Sequence, residues 1–95
     1  MPALKWTLPA TQDLWAIDAW LEENASGAFA LATLASIRFR AHFLGDFPHG
    51  GRPVGKGVRA LRVTDTAYII LYRLEADSVV ILRIRHEKED WQVDL

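Results

Sequence analysis

Five of the six glycines and two of the four prolines fall between Gly45 and Gly57, in the stretch GDFPHGGRPVGKG. So dense a cluster of residues that interrupt regular structure divides the chain into two halves. Before it, apolar residues recur at helical spacing. After it, they come in short runs of strand length. Helices followed by strands, rather than alternating with them, define an α+β class in which the two kinds of element pack as layers. With 95 residues, 51% of them hydrophobic, residues 1–95 form one domain with one core.

The first half opens on ALKWTL, whose alternation predicts a short strand over residues 3–7. Thr7 is placed to cap a helix, and Pro9 falls in the first turn, where a missing N–H is harmless. That helix runs to about residue 24. Ala10, Leu14, Ile17 and Leu21 share a narrow arc and make its core face, with Trp15 and Trp20 on opposite flanks. Ser26 caps a second helix, which runs to about residue 44. Ala30, Leu34, Ile37, Ala41 and Leu44 form one stripe on it, and Phe29, Phe39 and Phe43 form another on the far side. The short connection predicts an antiparallel helical hairpin.

The second half begins with a loop over residues 45–57. Three strands follow, at 58–64, 67–74 and 78–85, joined by hairpin-length turns into a three-stranded antiparallel meander. Leu61, Val63, Tyr68, Ile70, Tyr72, Val80, Leu82 and Ile84 are expected to face the helices. Arg62, Arg73, Arg83 and Arg85 fall on the other side with Ile69, Leu71, Val79 and Ile81.

Composition removes several functions. Without cysteine there is no disulfide scaffold, thiol nucleophile or cysteine zinc site, which fits a cytoplasmic protein. No apolar run is long enough to span a membrane. The histidines His42, His49 and His86 are not at metal-ligand spacing, and GGRPVGKG lacks the strand and helix that frame a phosphate-binding loop. No cofactor, metal or small-molecule substrate is expected. The net charge of −1 is unlike that of a nucleic-acid ligand, yet eight of the eleven basic residues lie after residue 50. The basic set Arg59, Arg62, Arg83, Arg85 with His86 is therefore either a solvated sheet face or a surface for an anionic partner. The aromatics Trp15, Trp20, Phe29, Phe39, Phe43 and Trp91 are either core or a partner groove.

The order of elements carries a resemblance. Trp6; Ala10, Asp13, Leu14 and Ile17; FPHGGRP; and the runs VRALRV, YIILYRL and VVILRIRHEKEDW together resemble the RelE/ParE superfamily of toxins, on its ParE-like, plasmid-stabilisation side. The resemblance implies a cognate ParD-like antitoxin wrapping the toxin through the aromatics named above, with the basic residues facing either that antitoxin or the toxin's target. It implies contact with operator DNA only through that antitoxin. It also divides the possible targets. The ribosome-dependent nucleases of the superfamily carry an arginine in the middle strand where this chain has Ile69, so the resemblance implies a gyrase inhibitor without an active site of its own. An mRNA endoribonuclease, with His86 near the position of a base, and a non-toxic antitoxin-binding domain are the alternatives.

Overall fold

Thr7 ends the first strand and starts the first helix. Its backbone is extended and its hydroxyl accepts a hydrogen bond from the Ala10 N–H at 3.3 Å. Ser26 repeats the device, accepting from the Phe29 N–H at 3.0 Å. These two caps set the helical hairpin, in which Leu34, Ile37, Ala41 and Leu44 share one buried core with Ala10 and Leu14, and Leu21 and Ala30 are buried too.

A computed structural model describes residues 2–94. The order is β1 (Ala3–Trp6), α1 (Leu8–Asn24), α2 (Gly27–Asp46), β2 (Arg52–Gly55), β3 (Val58–Arg62), β4 (Tyr68–Glu75) and β5 (Ser78–His86), then a short 3-10 turn (Trp91–Asp94). One five-stranded sheet runs β1-β5-β4-β3-β2. The meander is β3-β4-β5 with antiparallel pairing, and β1 adds to β5 in parallel, Ala3 opposite Ser78 and Trp6 opposite Ile81. The helices cover one face. Leu61, Val63, Ile70, Tyr72, Val79, Ile81 and Ile84 meet them there. No helix among the described residues is long and apolar enough to cross a membrane.

Two expectations need correction. The loop over residues 45–57 contains a strand, β2, which pairs with β3 around a bulge between Pro53 and Gly55. The sequence hides it because RPVG holds a proline and a glycine, which sheets tolerate only at edges and bulges. The facing of β5 is also reversed in its first half. Leu71 pairs with Arg83 and Tyr72 with Ile81, so Leu82 is an extra residue. A bulge of this kind shifts the alternation by one. Val79 and Ile81 therefore point to the helices with Ile84, and Leu82 packs on the opposite face. Val80 stands opposite Arg73.

That opposite face is not simply solvated. Val58, Ala60, Ile69 and Leu71 form a second apolar cluster there, and Trp91, only 6% exposed, closes it. The chain after β5 thus folds back to cover the sheet.

Tyr72 fastens the loop that leads out of α2. Its hydroxyl accepts from the Gly51 N–H at 2.8 Å and donates to the Pro48 carbonyl at 2.9 Å. Gly51 must be glycine, since a Cβ there would lie 2.7 Å from the Tyr72 ring. Burial pushes the Tyr72 hydroxyl above the ordinary tyrosine range, although the Gly51 hydrogen bond and the Arg59 charge pull it back. Tyr72→Phe orphans two backbone groups and is expected to lower stability by about 1–3 kcal/mol in denaturant unfolding. The unfolded tyrosine ionises first, so this contribution is intact below about pH 10 and is lost as pH rises beyond it. The wild type should therefore show a steeper alkaline loss of stability than Tyr72→Phe.

Candidate interaction surface

The two faces of the sheet end in two different surfaces, and β5 supplies residues to both. β1 pairs with β5 only as far as Ile81. Beyond that point the edge of β5 is sealed by α1. The Thr7 N–H donates to the Ile81 carbonyl at 3.1 Å, and the Thr7 hydroxyl to the same oxygen at 2.8 Å. Asp13 completes the seal. Its carboxylate accepts the Ile84 N–H at 2.9 Å and two hydrogen bonds from the Arg83 guanidinium, both 2.8 Å. A helix side chain has taken the place of a strand.

On the outer face, Arg73, Arg83, Arg85 and Lys56 surround a cavity of about 530 Å³ whose floor is Val58, Leu71, Leu82 and Trp91. Arg73 pairs with Glu75 at 3.0 Å, and Arg85 with Glu89 at 2.7 Å. Arg62 stands in the same cross-strand row as Ile69 and Arg85, and meets Glu87 at 2.8 Å. Arg59 does not belong to this group. It pairs in register with the core residue Tyr72 and donates to the Gly51 carbonyl at 3.4 Å, on the helix side.

His86 is also on the helix side. Its ring meets Tyr68 edge-on at 5.5 Å and its Nδ1 accepts from the Lys88 N–H at 3.1 Å. Burial, with the nearby Glu89 charge, raises the Tyr68 hydroxyl above its usual range. Tyr68 and His86 form one wall of a groove of about 310 Å³, and Trp20, Phe29, Ala32 and Ser36 of the hairpin form the other. Trp20 and Phe29 are 59% and 56% exposed. Trp15 and Phe39 lie elsewhere, open to solvent at 61% and 79%. Phe43 stacks on Phe47 at 4.9 Å and is half-buried.

The six aromatics expected to meet a partner thus divide into a groove pair, two on open helix surface, and two in contacts within the fold, Phe43 and Trp91. The five basic candidates divide likewise, with Arg62, Arg83 and Arg85 on the outer face and Arg59 and His86 on the other. Sequence reasoning missed Lys56 and the part played by Asp13. The Asp13 signal was available, because it occupies the apolar stripe with Ala10, Leu14 and Ile17, where an acid needs a partner. Among the described residues, no group of three or more acids and histidines could hold a metal ion.

A sheet carrying a helical hairpin on one face is an architecture this chain shares with chains of two solved toxin-antitoxin systems. The sequence profile described as "ParE toxin of type II toxin-antitoxin system, parDE" matches residues 4–91, and the chain belongs to that family. The protein Y4kP of Sinorhizobium fredii (strain NBRC 101917 / NGR234) is 36% identical over 89 residues, covering 93% of this chain and 91% of its own. The toxin RelE3 of Caulobacter vibrioides is 37% identical over 82 residues, covering 84% and 88%. Among solved structures, a chain of the chromosomal ParDE system from P. aeruginosa superposes with a TM-score of 0.83 at 28% identity, covering 90% of this chain and 96% of that one. A chain of the RelBE2 complex from Mycobacterium tuberculosis gives 0.67 at 26% identity, covering 90% and 99%.

Two substitutions separate core from surface. Trp91→Ala removes a buried indole and should destabilise the free protein by about 3–5 kcal/mol. Phe39→Ala should change thermal unfolding by no more than about 0.5 kcal/mol, since little packs against it. Asp13→Ala leaves the Ile84 N–H unmet and Arg83 without its carboxylate, and is expected to lower stability by about 1–3 kcal/mol in denaturant titration.

Proposed function

We propose that this toxin acts in the cytoplasm on DNA gyrase, as a binding protein without an active site of its own, and is neutralised by a cognate antitoxin. The observation that carries the choice of target is the division of β5. Arg85 and His86 are neighbours in an extended strand, so their side chains leave opposite faces. The outer-face arginines line the cavity closed by Trp91, while His86 lines the helix-side groove with Trp20 and Tyr68. A base and a set of phosphate-holding cations on opposite sides of a sheet cannot converge on one scissile phosphate. Phosphodiester cleavage depends on charge placed where the transition state develops it. Ile69 strengthens the argument: it is 4% exposed beneath Trp91, where an arginine would have no route to a substrate without displacing the cover.

The antitoxin partner is supported by the company the fold keeps, since the two solved neighbours named above belong to systems named for a toxin and its antitoxin. The groove between the hairpin and β4-β5 suits one of its helices. It offers Trp20 and Phe29 as exposed anchors, and aromatic anchors commonly dominate interface energetics. The resemblance to RelE3 keeps ribosome-dependent cleavage as the competing reading.

The purified toxin is expected to inhibit supercoiling by gyrase and to leave ribosome-engaged message intact in primer extension. Codon-specific cuts that disappear in His86→Ala would assign it to the nucleases instead. Trp20→Ala should weaken the antitoxin complex about tenfold or more in calorimetry while leaving the melting temperature of the free toxin nearly unchanged. Unaltered affinity would remove the groove from the interface.

A further inference from the structure

The solvent side of α2 is almost as apolar as its core side. From Gly27 to Ile37 the helix has no charged side chain, although Ala28, Leu31, Ala32 and Ala35 in that stretch are exposed. Leu31 is 72% exposed, and Phe39 is more open than any other large apolar side chain among the described residues. A helix apolar on two sides needs a second cover. Leu31, Ala35 and Phe39 stand four apart and so form one ridge, with a small residue at its centre and a large one a turn away on either side. Such a ridge complements its own reverse. A two-fold axis at Ala35, with the helices antiparallel, lays Leu31 of each copy on Phe39 of the other and lets the backbones approach where the two Ala35 methyls meet.

The charges beside the ridge have the same symmetry. Glu22 and Glu23 are exposed in the last turn of α1, at the closed end of the hairpin. Arg38 and His42 are exposed one turn apart towards the open end, where they line a shallow groove with Trp6 and Thr11. Arg38 meets no carboxylate among the described residues. A hairpin with acid at one end and base at the other matches its own antiparallel copy. An acidic partner helix would suit Arg38 and be repelled at Glu22 and Glu23, and an anionic lipid surface would fare the same. With the crossing at Ala35, Asp46 falls beyond the start of the second copy's α2 at Gly27.

We propose that the ridge of α2 receives a second copy of this chain, two molecules pairing antiparallel about Ala35 with Leu31 against Phe39 in both directions and Glu22 of each near Arg38 of the other. The Trp20–Phe29 groove lies beside the ridge and shares none of Leu31, Ala35 and Phe39. The inference is therefore independent of the reading of that groove as the antitoxin's. One helix face from each molecule makes a small interface, so the pairing is reversible and sensitive to dilution.

Sedimentation equilibrium of the purified toxin over a dilution series tests the pairing. Wild type should pass from monomer to dimer in roughly the micromolar range and stop there, because a two-fold interface closes on itself. Ala35→Glu sets like charges across the axis and should weaken association about a hundredfold or more. Phe39→Ala changes no charge and should weaken it about tenfold or more. Both replace exposed side chains, so their circular dichroism should match wild type. Glu22→Arg and Arg38→Glu should each weaken self-association about tenfold. An equimolar mixture of those two variants should pair as well as wild type, since both cross-contacts are then between opposite charges. A wild type that stays monomeric throughout the series would overturn the proposal. So would association indifferent to Ala35→Glu and Phe39→Ala, assembly beyond the dimer, or a charge-reversed mixture that fails to pair. A monomeric wild type whose antitoxin affinity falls in Ala35→Glu would assign the ridge to the antitoxin and overturn it as well.

Discussion

The structure depends on how the exposed half of β5 is satisfied. A strand that loses its neighbour partway along leaves backbone groups that must be paired, because a buried N–H without an acceptor is strongly disfavoured. Here β1 ends at Trp6, and the chain turns directly into α1. Thr7 and Asp13 then do from a helix what a longer β1 would have done from a strand. This fixes α1 against the sheet in angle and register. The partner helix α2 follows through the core that Ala10 and Leu14 share with Leu34 and Ile37. The bulge at Leu82 lies at the same place, so the local irregularity and its repair are one feature.

Much of this was legible in the residues. Thr7 and Ser26 cap where hydroxyls before apolar periodicity should cap, and the buried helix stripes follow the spacing except that Ile17 is only partly buried and Thr33 joins the stripe of α2. The meander was equally plain, since its turns are short and its runs β-branched. Two features were not legible. β2 is a strand only because β3 offers it a partner, and its own residues argue against extended pairing. The Leu82 bulge leaves no mark in SVVILRIRHE, because apolar residues fill both faces of the first half of β5 and either phase reads as buried. The alternation is informative only where one face is polar.

The same ambiguity governed the candidate site. A continuous alternation would have put His86 opposite the arginines just as the bulged one does, since parity between neighbours survives a shift upstream. What changed is which apolar residues stand under the arginines. Leu82 joins Leu71 and Trp91 on the outer face, and the basic surface gains a hydrocarbon base that composition could not reveal. Arg59 was misplaced for a different reason. It alternates out of phase with Arg62, three residues along β3, and nearness in sequence concealed that the two lie on opposite sides of the sheet.

The far edge of the sheet has a consequence for solubility. A sheet with an open outer strand invites a second chain to extend its ladder, and small β-rich proteins are lost to fibres and precipitates in this way. Pro53 has no N–H to offer, the bulge beside it breaks the even spacing of the remaining groups, and Arg52 adds charge at the start of the strand. At four residues, β2 is also too short to template much pairing. The segment least recognisable as a strand therefore serves as the sheet's terminus, protecting the free protein from polymerising along that side.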